Sequence, residues 1–453
     1  MNVPSRIAAL RKTMVAHNID AIIIPSSDPH QSEYIAEHWQ ERVWISGFTG
    51  SAGLVAVTKD HAGLWTDSRY FLQGEMELKG TGVELHKMLN QFGTPYIDFL
   101  AENLSKGSRV AVNGLMFSKA VVDTMKKSFA ESGIDLVYNL DLISEIWTNR
   151  PPLSDAPIFY HDEKFSGSTI ADKFEQIRTT LKDNQADYHL ITTLDDIAWT
   201  FNIRGNDVMY NPVSVAYAIV GKSDAHIFVN EKKLSDQVKK QFSKNNIKIY
   251  PNSEIIGFLN KMKESESILV DTQLCNQTIY DAINGKIIQG NSIPKFLKAI
   301  KNGTEIGHIR DVMKKDGAAL ANTFYWLEQC LSSGQKINEV DVARKLAEQR
   351  SQQKFYQGES FGAIIGYNEN GAIIHYHPEP ETCKTIKPEG ILLVDSGGQY
   401  SDGTTDITRT FTLSQPTEEQ VKAYTLILKG MIALSMAKFP EGTTGGQLDT
   451  LAR

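Results

Sequence analysis

The chain has 453 residues and a formal net charge of −7, with 41% hydrophobic and 22% charged residues. At roughly 150 residues per domain this length predicts about three domains, and the composition excludes a low-complexity or disordered chain. The acidic charge balance excludes a basic nucleic-acid-binding footprint, and no apolar run approaches the ~18 residues of a membrane span. We therefore expect neither nucleic acid nor a membrane as a partner.

The cysteines and the amino-terminal residues indicate the cellular compartment. Cys275, Cys330 and Cys383 are far apart and odd in number, which is typical of reduced thiols rather than of a disulfide framework. The first twenty residues, MNVPSRIAALRKTMVAHNID, place apolar residues at helical spacing among basic ones and lack the continuous apolar segment of a signal peptide. The sequence predicts a cytoplasmic protein.

Residues 1–150 have the pattern of an α/β domain. An amino-terminal helix precedes the strand-like AIIIP (21–25), which is followed by GLVAVT (53–58), GLWT (63–66) and a helix near 70–77. The dipeptide Pro151-Pro152 and the polar stretch after it predict the first domain boundary.

Residues 151–300 repeat this order and predict a second α/β domain. A helix over 167–182 leads into HLITT (189–193), a short helix at DDIAWTF (195–201), and the strands VAYAIVG (215–221) and AHIFV (225–229). Since the order of strand, short helix, glycine-containing turn and strand pair occurs in both segments, we interpret them as a duplication.

Residues 301–453 form a third predicted domain. A long helix begins behind an Asn302 or Thr304 cap, and a second helix begins behind Asn338. Strands are predicted at GAIIGY (362–367), AIIHY (372–376) and ILLVDSG (391–397), a helix over 417–437, and the start of another helix at GGQLDTLAR. One apolar stripe of the long helix is expected to face the core: Ile306, Ile309, Met313, Leu320, Phe324 and Leu327.

Three short motifs are set aside on mechanism. VGKSD (220–224) resembles the end of a P-loop but has Ala216 where that pattern needs glycine. GESFG (358–362) spells a nucleophile elbow, yet a strand-like segment follows the serine and no histidine follows His377. His375 and His377 on a strand would share one face, as a zinc site requires, but one histidine beside a carboxylate site is the favoured interpretation.

Two aspartates in VDSGGQYSDGTTDITRT (394–410) are the stronger candidates. If the hairpin turns at Tyr400 to Gly403, Asp395 and Asp406 lie almost opposite each other, with Cβ atoms ~4.5–5.5 Å apart. Such carboxylates repel unless a cation lies between them, and a pair of divalent metals ~3.5–4 Å apart, manganese, magnesium or zinc, suits hard oxygen ligands. The alternative is an exposed hairpin with both side chains solvated. Against it, Asp395 directly follows the apolar ILLV, so its charge needs compensation.

The motifs also carry a family resemblance. NGAIIHYHPEPET and LVDSGGQYSDGTTDITRT, with IIPSSDPHQSEYIAEHWQERVWISGFTGSAG, LWTDSRYFLQ and LDDIAWTFNIRGNDVMYNPV, resemble the Xaa-Pro aminopeptidases (aminopeptidase P) of the long, cytosolic, three-domain type. The resemblance implies two related creatinase-like α/β domains, 1–150 and 151–300, before a pita-bread metallopeptidase domain, 301–453. It also implies hydrolysis of the bond between an amino-terminal residue and proline, and a homodimer.

The resemblance further implies the roles of individual residues. Asp395 would chelate one metal ion and Asp406 would bridge two. The ions would be Mn²⁺, with zinc, cobalt or magnesium as substitutes. His375 would contact the substrate near the scissile carbonyl and assist the tetrahedral intermediate, and Arg69 would reach the substrate from the first domain.

The chain departs from this family pattern at its carboxyl end. The remaining ligands of the family, one histidine in an HGTGHGVG-like stretch and two later glutamates, have no counterpart before Arg453. We therefore expect a truncated chain carrying the amino-terminal half of the pita-bread domain, with weak metal binding and little peptidase activity. Two alternatives stay open: a proline dipeptidase on the same fold, and a metal-free protein that only binds peptides.

Overall fold

The computed structural model describes residues 1–90 and 93–453, and every count of elements below refers to these residues. In that described part, no helix has both the length and the apolar character that crossing a membrane requires.

The first domain is a six-stranded mixed sheet with helices on both faces. Its spatial order is β4-β3-β2-β1-β5-β6. The pairs β1-β2 and β2-β3 are antiparallel, and the pairs β3-β4, β1-β5 and β5-β6 are parallel. The strands are β1 (Ala21–Pro25), β2 (Leu54–Thr58), β3 (Ala62–Asp67), β4 (Glu84–Met88), β5 (Arg109–Ala111) and β6 (Asp135–Val137). The helices are α1 (Val3–Ala16), α2 (Glu41–Ser46), α3 (Phe71–Glu77), α4 (Pro95–Asn103), α5 (Lys119–Glu131) and α6 (Leu142–Ile146), with 3₁₀ turns at Glu37–Trp39 and Ser68–Tyr70.

The second domain repeats this architecture, with the sheet order β12-β11-β10-β8-β13-β14 and a separate pair β7-β9. The strands are β7 (Phe159–Tyr160), β8 (Tyr188–Ile191), β9 (Ile203–Arg204), β10 (Tyr217–Gly221), β11 (Ala225–Phe228), β12 (Ile247–Tyr250), β13 (Ser267–Val270) and β14 (Lys286–Gln289). The helices are α7 (Glu163–Ser166), α8 (Ile170–Asp183), α9 (Leu194–Thr200), α10 (Asp236–Lys244), α11 (Ile255–Asn260), α12 (Gln277–Asp281) and α13 (Ile293–Leu297), with 3₁₀ turns at Glu231–Lys233 and Asn252–Glu254.

Both sheets are buried on their two faces, which explains their continuous apolar strands. All five residues of β1 and all five of β10 are buried. The helix that precedes each central strand, α1 or α8, has 14 residues and packs an apolar stripe on its sheet. The identical sheet order agrees with the duplication that the sequence predicts.

The third part of the chain holds two long helices against small antiparallel sheets of order β17-β19-β22 and β16-β20-β21, with a short pair β15-β18. The strands are β15 (Ile337–Asn338), β16 (Tyr356–Glu359), β17 (Ile364–Tyr367), β18 (Thr385–Ile386), β19 (Ile391–Ser396), β20 (Gly398–Tyr400), β21 (Gly403–Thr404) and β22 (Ile407–Thr412). The helices are α14 (Gly303–Ser332), α15 (Glu339–Ser351), α16 (Glu418–Met436) and α17 (Gly445–Asp449), with a 3₁₀ turn at Asn368–Ala372.

The caps predicted for the two long helices are confirmed, but the predicted buried stripe of α14 is wrong in its first half. Asn302 and Asn338 each form a capping box with the acidic residue three positions on. Ile306, Ile309 and Met313 are exposed. The face that packs inward is Val312, Asp316, Ala319, Leu320, Thr323, Leu327 and Cys330, a stripe that a search for apolar residues misses because it contains a buried carboxylate.

Candidate metal centre and substrate site

The two candidate aspartates share one face of the sheet but are not directly paired. Asp395 in β19 lies opposite Thr408 of β22, and Asp406 lies just before that strand. The expectation of direct opposition is therefore wrong by two residues. Because side chains alternate along a strand, Asp406 is on the same side as Thr408, and so is a diagonal neighbour of Asp395. Such neighbours lie about 7–8 Å apart, which leaves space for cations between the carboxylates.

The environment of these carboxylates fits a bound cation. The Oδ1 atom of Asp395 is fully shielded from solvent and finds no hydrogen-bond partner within residues 1–90 and 93–453. A buried anionic oxygen without a partner is costly. Although the Asp406 side chain is exposed, partial desolvation and then the nearby Asp395 charge raise the pKa of its carboxyl. A divalent cation offsets both effects, since it supplies positive charge to two hard oxygen donors.

A buried ion pair fixes the segment between the two aspartates. Arg350 of α15 is fully buried and binds both oxygens of Asp316 in α14, at 2.7 and 3.0 Å. The same guanidinium donates to the Ser396 hydroxyl at 3.1 Å and to the Gly397 carbonyl at 3.2 Å. Both long helices are thereby tied to the end of β19, directly after Asp395.

Close packing also fixes this turn and excludes the nucleophile elbow. A Cβ atom at Gly397 would lie 2.0 Å from the Thr405 carbonyl oxygen and 2.1 Å from Ser360 Oγ, so this position needs glycine. Ser360 donates its hydroxyl to the Thr405 carbonyl at 2.8 Å and lies between the strands β16 and β17. The hydroxyl is therefore structural, and no helix follows it before β17, as we expect.

His375 does not lie on a strand. The predicted strand over 372–376 is wrong: the structure has a 3₁₀ turn over Asn368–Ala372, followed by an irregular turn. The fully buried carboxylate of Glu339 holds this segment in place, because it accepts hydrogen bonds from the Tyr367 amide at 2.7 Å, the Asn370 amide group at 3.0 Å and the Tyr376 hydroxyl at 2.7 Å. Tyr376 points inward to Glu339, and the turn presents its neighbour His375 to the site.

The first domain contacts this histidine directly. The buried hydroxyl of Tyr70 hydrogen-bonds to His375 Nδ1, and the two rings meet edge to face with their centroids 5.2 Å apart. Ser51 shares the Tyr70 hydroxyl at 2.5 Å. The neighbouring Arg69 forms a bidentate pair with Asp67 at 2.7 and 2.8 Å and lies 5.3 Å from the centre of the Tyr70 ring.

Electrostatics favour a neutral His375. Burial first, then the positive charge of Arg69 and the neighbouring His377, lower the pKa of the His375 imidazole. Asp67 and Asp395 oppose the shift but do not reverse it. His377 also has a lowered pKa because of burial, and its ring packs on Gly362, where a Cβ would lie 3.0 Å from the imidazole.

Three tyrosines complete the site, and the sequence reasoning missed them. Besides Tyr70, the site includes Tyr34 of the first domain and Tyr210 of the second, whose ring centroids are 6.0 Å apart. Burial raises the pKa of Tyr34, with smaller contributions from several groups including Tyr70 and Asp406. The Tyr210 carbonyl accepts a hydrogen bond from Gln399 of β20 at 2.9 Å. The three tyrosines lie in the segments DPHQSEY, TDSRYF and NDVMYNPV. These segments belong to the stretches that carry the family resemblance, so the resemblance was the signal that could have identified the tyrosines.

Comparison with known proteins defines the class of protein. Residues 6–144 and 149–305 each match a Creatinase/Prolidase N-terminal domain, and residues 307–453 match Metallopeptidase family M24. Two related creatinase-like α/β domains followed by a pita-bread metallopeptidase domain are therefore the fold of this chain, as the sequence predicts.

The relatives define the family. A probable Xaa-Pro aminopeptidase P of Neurospora crassa is 40% identical over all of this chain and 68% of its own length. Aminopeptidase P2 of Arabidopsis thaliana is 38% identical over 96% of this chain and 66% of its own. The crystal structure of X-prolyl aminopeptidase from Caenorhabditis elegans, a cytosolic enzyme with a di-nuclear active site, superimposes with a TM-score of 0.94 at 33% identity, over all of this chain and 77% of that one. The chain belongs to the Xaa-Pro aminopeptidase P family of metallopeptidases, and it spans about two thirds of the length of the first two relatives.

Proposed function

We propose that this chain provides the metal- and substrate-binding face of an enzyme that releases the amino-terminal residue from peptides with proline in the second position. The observation that carries the proposal is the shielded Asp395 oxygen, which has no hydrogen-bond partner among the described residues and lies on the same strand face as Asp406. Peptides that begin with Xaa-Pro are the substrates that the names of the relatives indicate. We assign this role to residues 301–453, behind domains 1–150 and 151–300.

In this proposal Asp395 and Asp406 would hold two divalent cations, Asp395 as a ligand of one ion and Asp406 as a ligand shared by both. Carboxylate oxygens suit Mn²⁺ and Mg²⁺ alike; the family resemblance implies Mn²⁺, with Mg²⁺, Zn²⁺ or Co²⁺ as substitutes. Such ions would supply Lewis acidity for the scissile carbonyl and for the attacking water. The chain's own contribution is a rigid cradle, because the Arg350–Asp316 pair anchors the residues directly after Asp395.

His375 contacts the substrate near the scissile carbonyl. Since burial and Arg69 favour the neutral imidazole, one ring nitrogen carries a proton and the other accepts one. When the Tyr70 hydroxyl donates to Nδ1, the proton resides on Nε2. That N–H then donates to the carbonyl oxygen and, more strongly, to the negative oxygen that develops there.

Arg69 binds the substrate from the first domain. Its guanidinium is about a third exposed and is oriented by both oxygens of Asp67, so a free edge remains available to a carbonyl or carboxylate of the peptide. A proline after the scissile bond supplies no N–H to be recognised, and recognition therefore depends on carbonyl groups and on the ring. The rim formed by Tyr34, Tyr70 and Tyr210 offers aromatic surface for that ring.

A manganese titration tests this assignment. The chelator-treated chain is titrated with Mn²⁺, and the signal of free Mn²⁺ is followed by electron paramagnetic resonance. We expect saturable binding of Mn²⁺. Asp406→Asn should weaken the binding of both ions, whereas Asp395→Asn should weaken the binding of one. Asp402→Asn is the matched control, because this carboxylate of the same hairpin pairs with Lys315 at 2.8 Å and should leave binding unchanged. Equal binding by all four proteins contradicts the assignment.

Two further parts of the proposal concern substrate and setting. Residual cleavage of Ala-Pro-Ala as well as Ala-Pro by the metal-loaded protein distinguishes an aminopeptidase from a proline dipeptidase, which would cut only Ala-Pro. We also infer a cytoplasmic homodimer. The relative from Caenorhabditis elegans is a cytosolic enzyme, and the three cysteines of this chain are free. Sedimentation velocity measures the mass, and a monomer at micromolar concentration contradicts this inference.

A further inference from the structure

A second cluster of metal-ligand side chains lies on the outer edge of the first domain, away from the aspartates. It consists of His61, which directly precedes β3, with Glu84 and His86 of the edge strand β4. One ligand atom from each residue lies within 4.8 Å of the other two. The Nε2 atoms of the two imidazoles are 3.1 Å apart. The other nitrogen of His61, Nδ1, lies 3.7 Å from Glu84 and would not bind the same ion as Nε2.

The register of the sheet explains the convergence. In the parallel pair β3-β4, Gly63 lies beside Glu84 and Trp65 beside His86. Because side chains alternate, His61 extends the same face as Gly63 and Trp65. A turn fixes the His61 backbone, since its amide donates to Thr58 Oγ1 at 3.0 Å and its carbonyl accepts from the Thr58 amide at 2.8 Å. The three ligand side chains therefore belong to one surface of two adjacent strands.

The two imidazoles meet over a glycine. A Cβ atom at Gly63 would lie 2.7 Å from His61 Nε2 and 2.8 Å from His86 Nε2, so any side chain there would occupy the space in which the nitrogens converge. Aromatic rings hold the imidazoles from behind: Trp65 stacks on His86 at 4.1 Å and 10°, and Phe99 packs against both histidines at 4.9 and 5.3 Å. The orientation of the donors is thus set by packing.

We propose that His61, Glu84 and His86 form a zinc-binding site that joins the edge strand β4 to β3. Two imidazole nitrogens and one carboxylate are a donor set that suits Zn²⁺, with water as the fourth ligand. Across a tetrahedral ion with Zn–N bonds of about 2.0–2.1 Å, the nitrogens lie about 3.3 Å apart, close to the observed separation. Such a site differs from the aspartate pair, whose oxygen donors favour harder ions.

Cobalt substitution tests the site independently of the proposed peptidase centre. The full chain with both Asp395→Asn and Asp406→Asn is freed of metal with a chelator and titrated with Co²⁺, then with Zn²⁺ in competition. We expect one equivalent of Co²⁺ with the intense visible bands of four-coordinate cobalt, displaced by Zn²⁺. His86→Gln in the same background should abolish these bands. Gly63→Ala keeps all three ligands and should weaken Zn²⁺ binding at least about tenfold, because it forces the imidazoles apart.

His17→Gln is the matched control, since His17 pairs with Glu145 at 2.8 Å elsewhere in the same domain, and it should leave the cobalt spectrum unchanged. Circular dichroism establishes that each variant is folded. The proposal is overturned if the double aspartate variant takes up no Co²⁺ or Zn²⁺ at micromolar concentration, or if folded His86→Gln binds as tightly as its parent. In either case the two imidazoles share only a proton between their Nε2 atoms.

Discussion

The two α/β domains have the same sheet order but use an equivalent position in opposite ways. In each domain the third strand of the antiparallel set is followed by a 3₁₀ turn with a side-chain cap, Asp67 in the first and Asn230 in the second. Three residues after the cap, the first domain has Tyr70 and the second has Lys233, and both side chains are buried. Tyr70 reaches outward to His375, whereas Lys233 turns inward to form an ion pair with Asp207.

This difference shows how a duplicated fold acquires a single function. The sheet and its helices are set by apolar packing, which both copies satisfy with different residues. A position at the end of a strand is free to serve either the interior or a neighbouring domain. The second domain contacts the candidate site through another loop, by way of the Tyr210 carbonyl and Gln399.

The largest expected effect follows from breaking the buried ion pair between Lys233 and Asp207 in the second domain. Lys233→Met leaves Asp207 buried without its cation, and loss of one partner of a buried ion pair costs roughly 3–5 kcal/mol of the free energy of unfolding. Asp207 Oδ1 already lacks a hydrogen-bond partner in the described part of the chain, which leaves little to compensate. The loss in the free energy of unfolding is measured by denaturant unfolding, with hydrogen exchange of the β10 and β11 amides as the readout. The exposed neighbour in Lys232→Met is the control, and an equal loss in both variants contradicts the comparison.

The second prediction concerns pH, because the two domains bury charges of opposite sign. Burial lowers the pKa of Lys173 in α8 to about 7 and raises that of Glu41 in α2 to about 7. For Lys173 the folded pKa lies below the unfolded value of 10.5, so its contribution to stability is complete above pH 10.5 and is lost as the pH falls through about 7. For Glu41 the folded pKa lies above the unfolded value of 4.5, so its contribution is complete below pH 4.5 and is lost as the pH rises through about 7.

The two domains should therefore respond in different pH windows: the first loses stability as the pH rises from 4.5 to about 7, and the second as the pH falls from 10.5 to about 7. At about 1.4 kcal/mol per pKa unit, the Lys173 shift corresponds to a few kcal/mol between pH 7 and 10. Hydrogen exchange of α8 and α2, corrected for the intrinsic rate at each pH, reports the two domains separately. Lys173→Met should remove the slope in the second domain and leave that of the first unchanged. The contrary result is that both domains change stability in the same pH window and in the same direction.

Most regular elements were predictable because they depend on local pattern. The apolar runs of β1, β10 and β19 and the caps at Asn302 and Asn338 are short-range signals. The strand register at the aspartates could also have been counted. Since Tyr400 pairs with Gly403 across a two-residue turn, the same register places Asp395 opposite Thr408 rather than opposite Asp406.

The errors arise where a buried polar group overrides the local pattern. The inward face of α14 contains Asp316, whose partner Arg350 lies 34 residues further on. The segment around His375 is apolar enough for a strand, but Glu339 draws Tyr376 and its neighbours into a turn. The contact between Tyr70 and His375 spans 305 residues of sequence, so no local pattern predicts it. The metal, substrate and catalytic roles of the site residues remain predictions.

A third prediction tests the outward-facing position. Tyr70→Phe keeps the ring that packs on His375 and removes the hydroxyl that orients Nδ1. Loss of one hydrogen bond to the imidazole costs about 1.5 kcal/mol, roughly tenfold in rate, so we expect a fall of that size in kcat for the residual Xaa-Pro hydrolysis with KM nearly unchanged. The ¹⁵N shifts of His375 should show a mixture of tautomers in the variant. As the control, Ser51→Ala removes the other hydroxyl at Tyr70 and should have a smaller effect on the tautomer.

The smallest expected effect distinguishes orientation from charge at Arg69. Arg69→Lys keeps the positive charge but cannot form both bonds to Asp67, because an ammonium lacks the planar fork of the guanidinium. Because Arg69 is about a third exposed, losing one of its hydrogen bonds costs about 1 kcal/mol, so we expect KM to rise about fivefold with little change in kcat. Since Arg69 lowers the pKa of His375 through its charge, the acidic limb of the pH profile should stay in place in the lysine variant and move to higher pH in Arg69→Met. A KM unchanged in both variants would show that Arg69 contacts no part of the peptide and serves only to shape the turn before Tyr70.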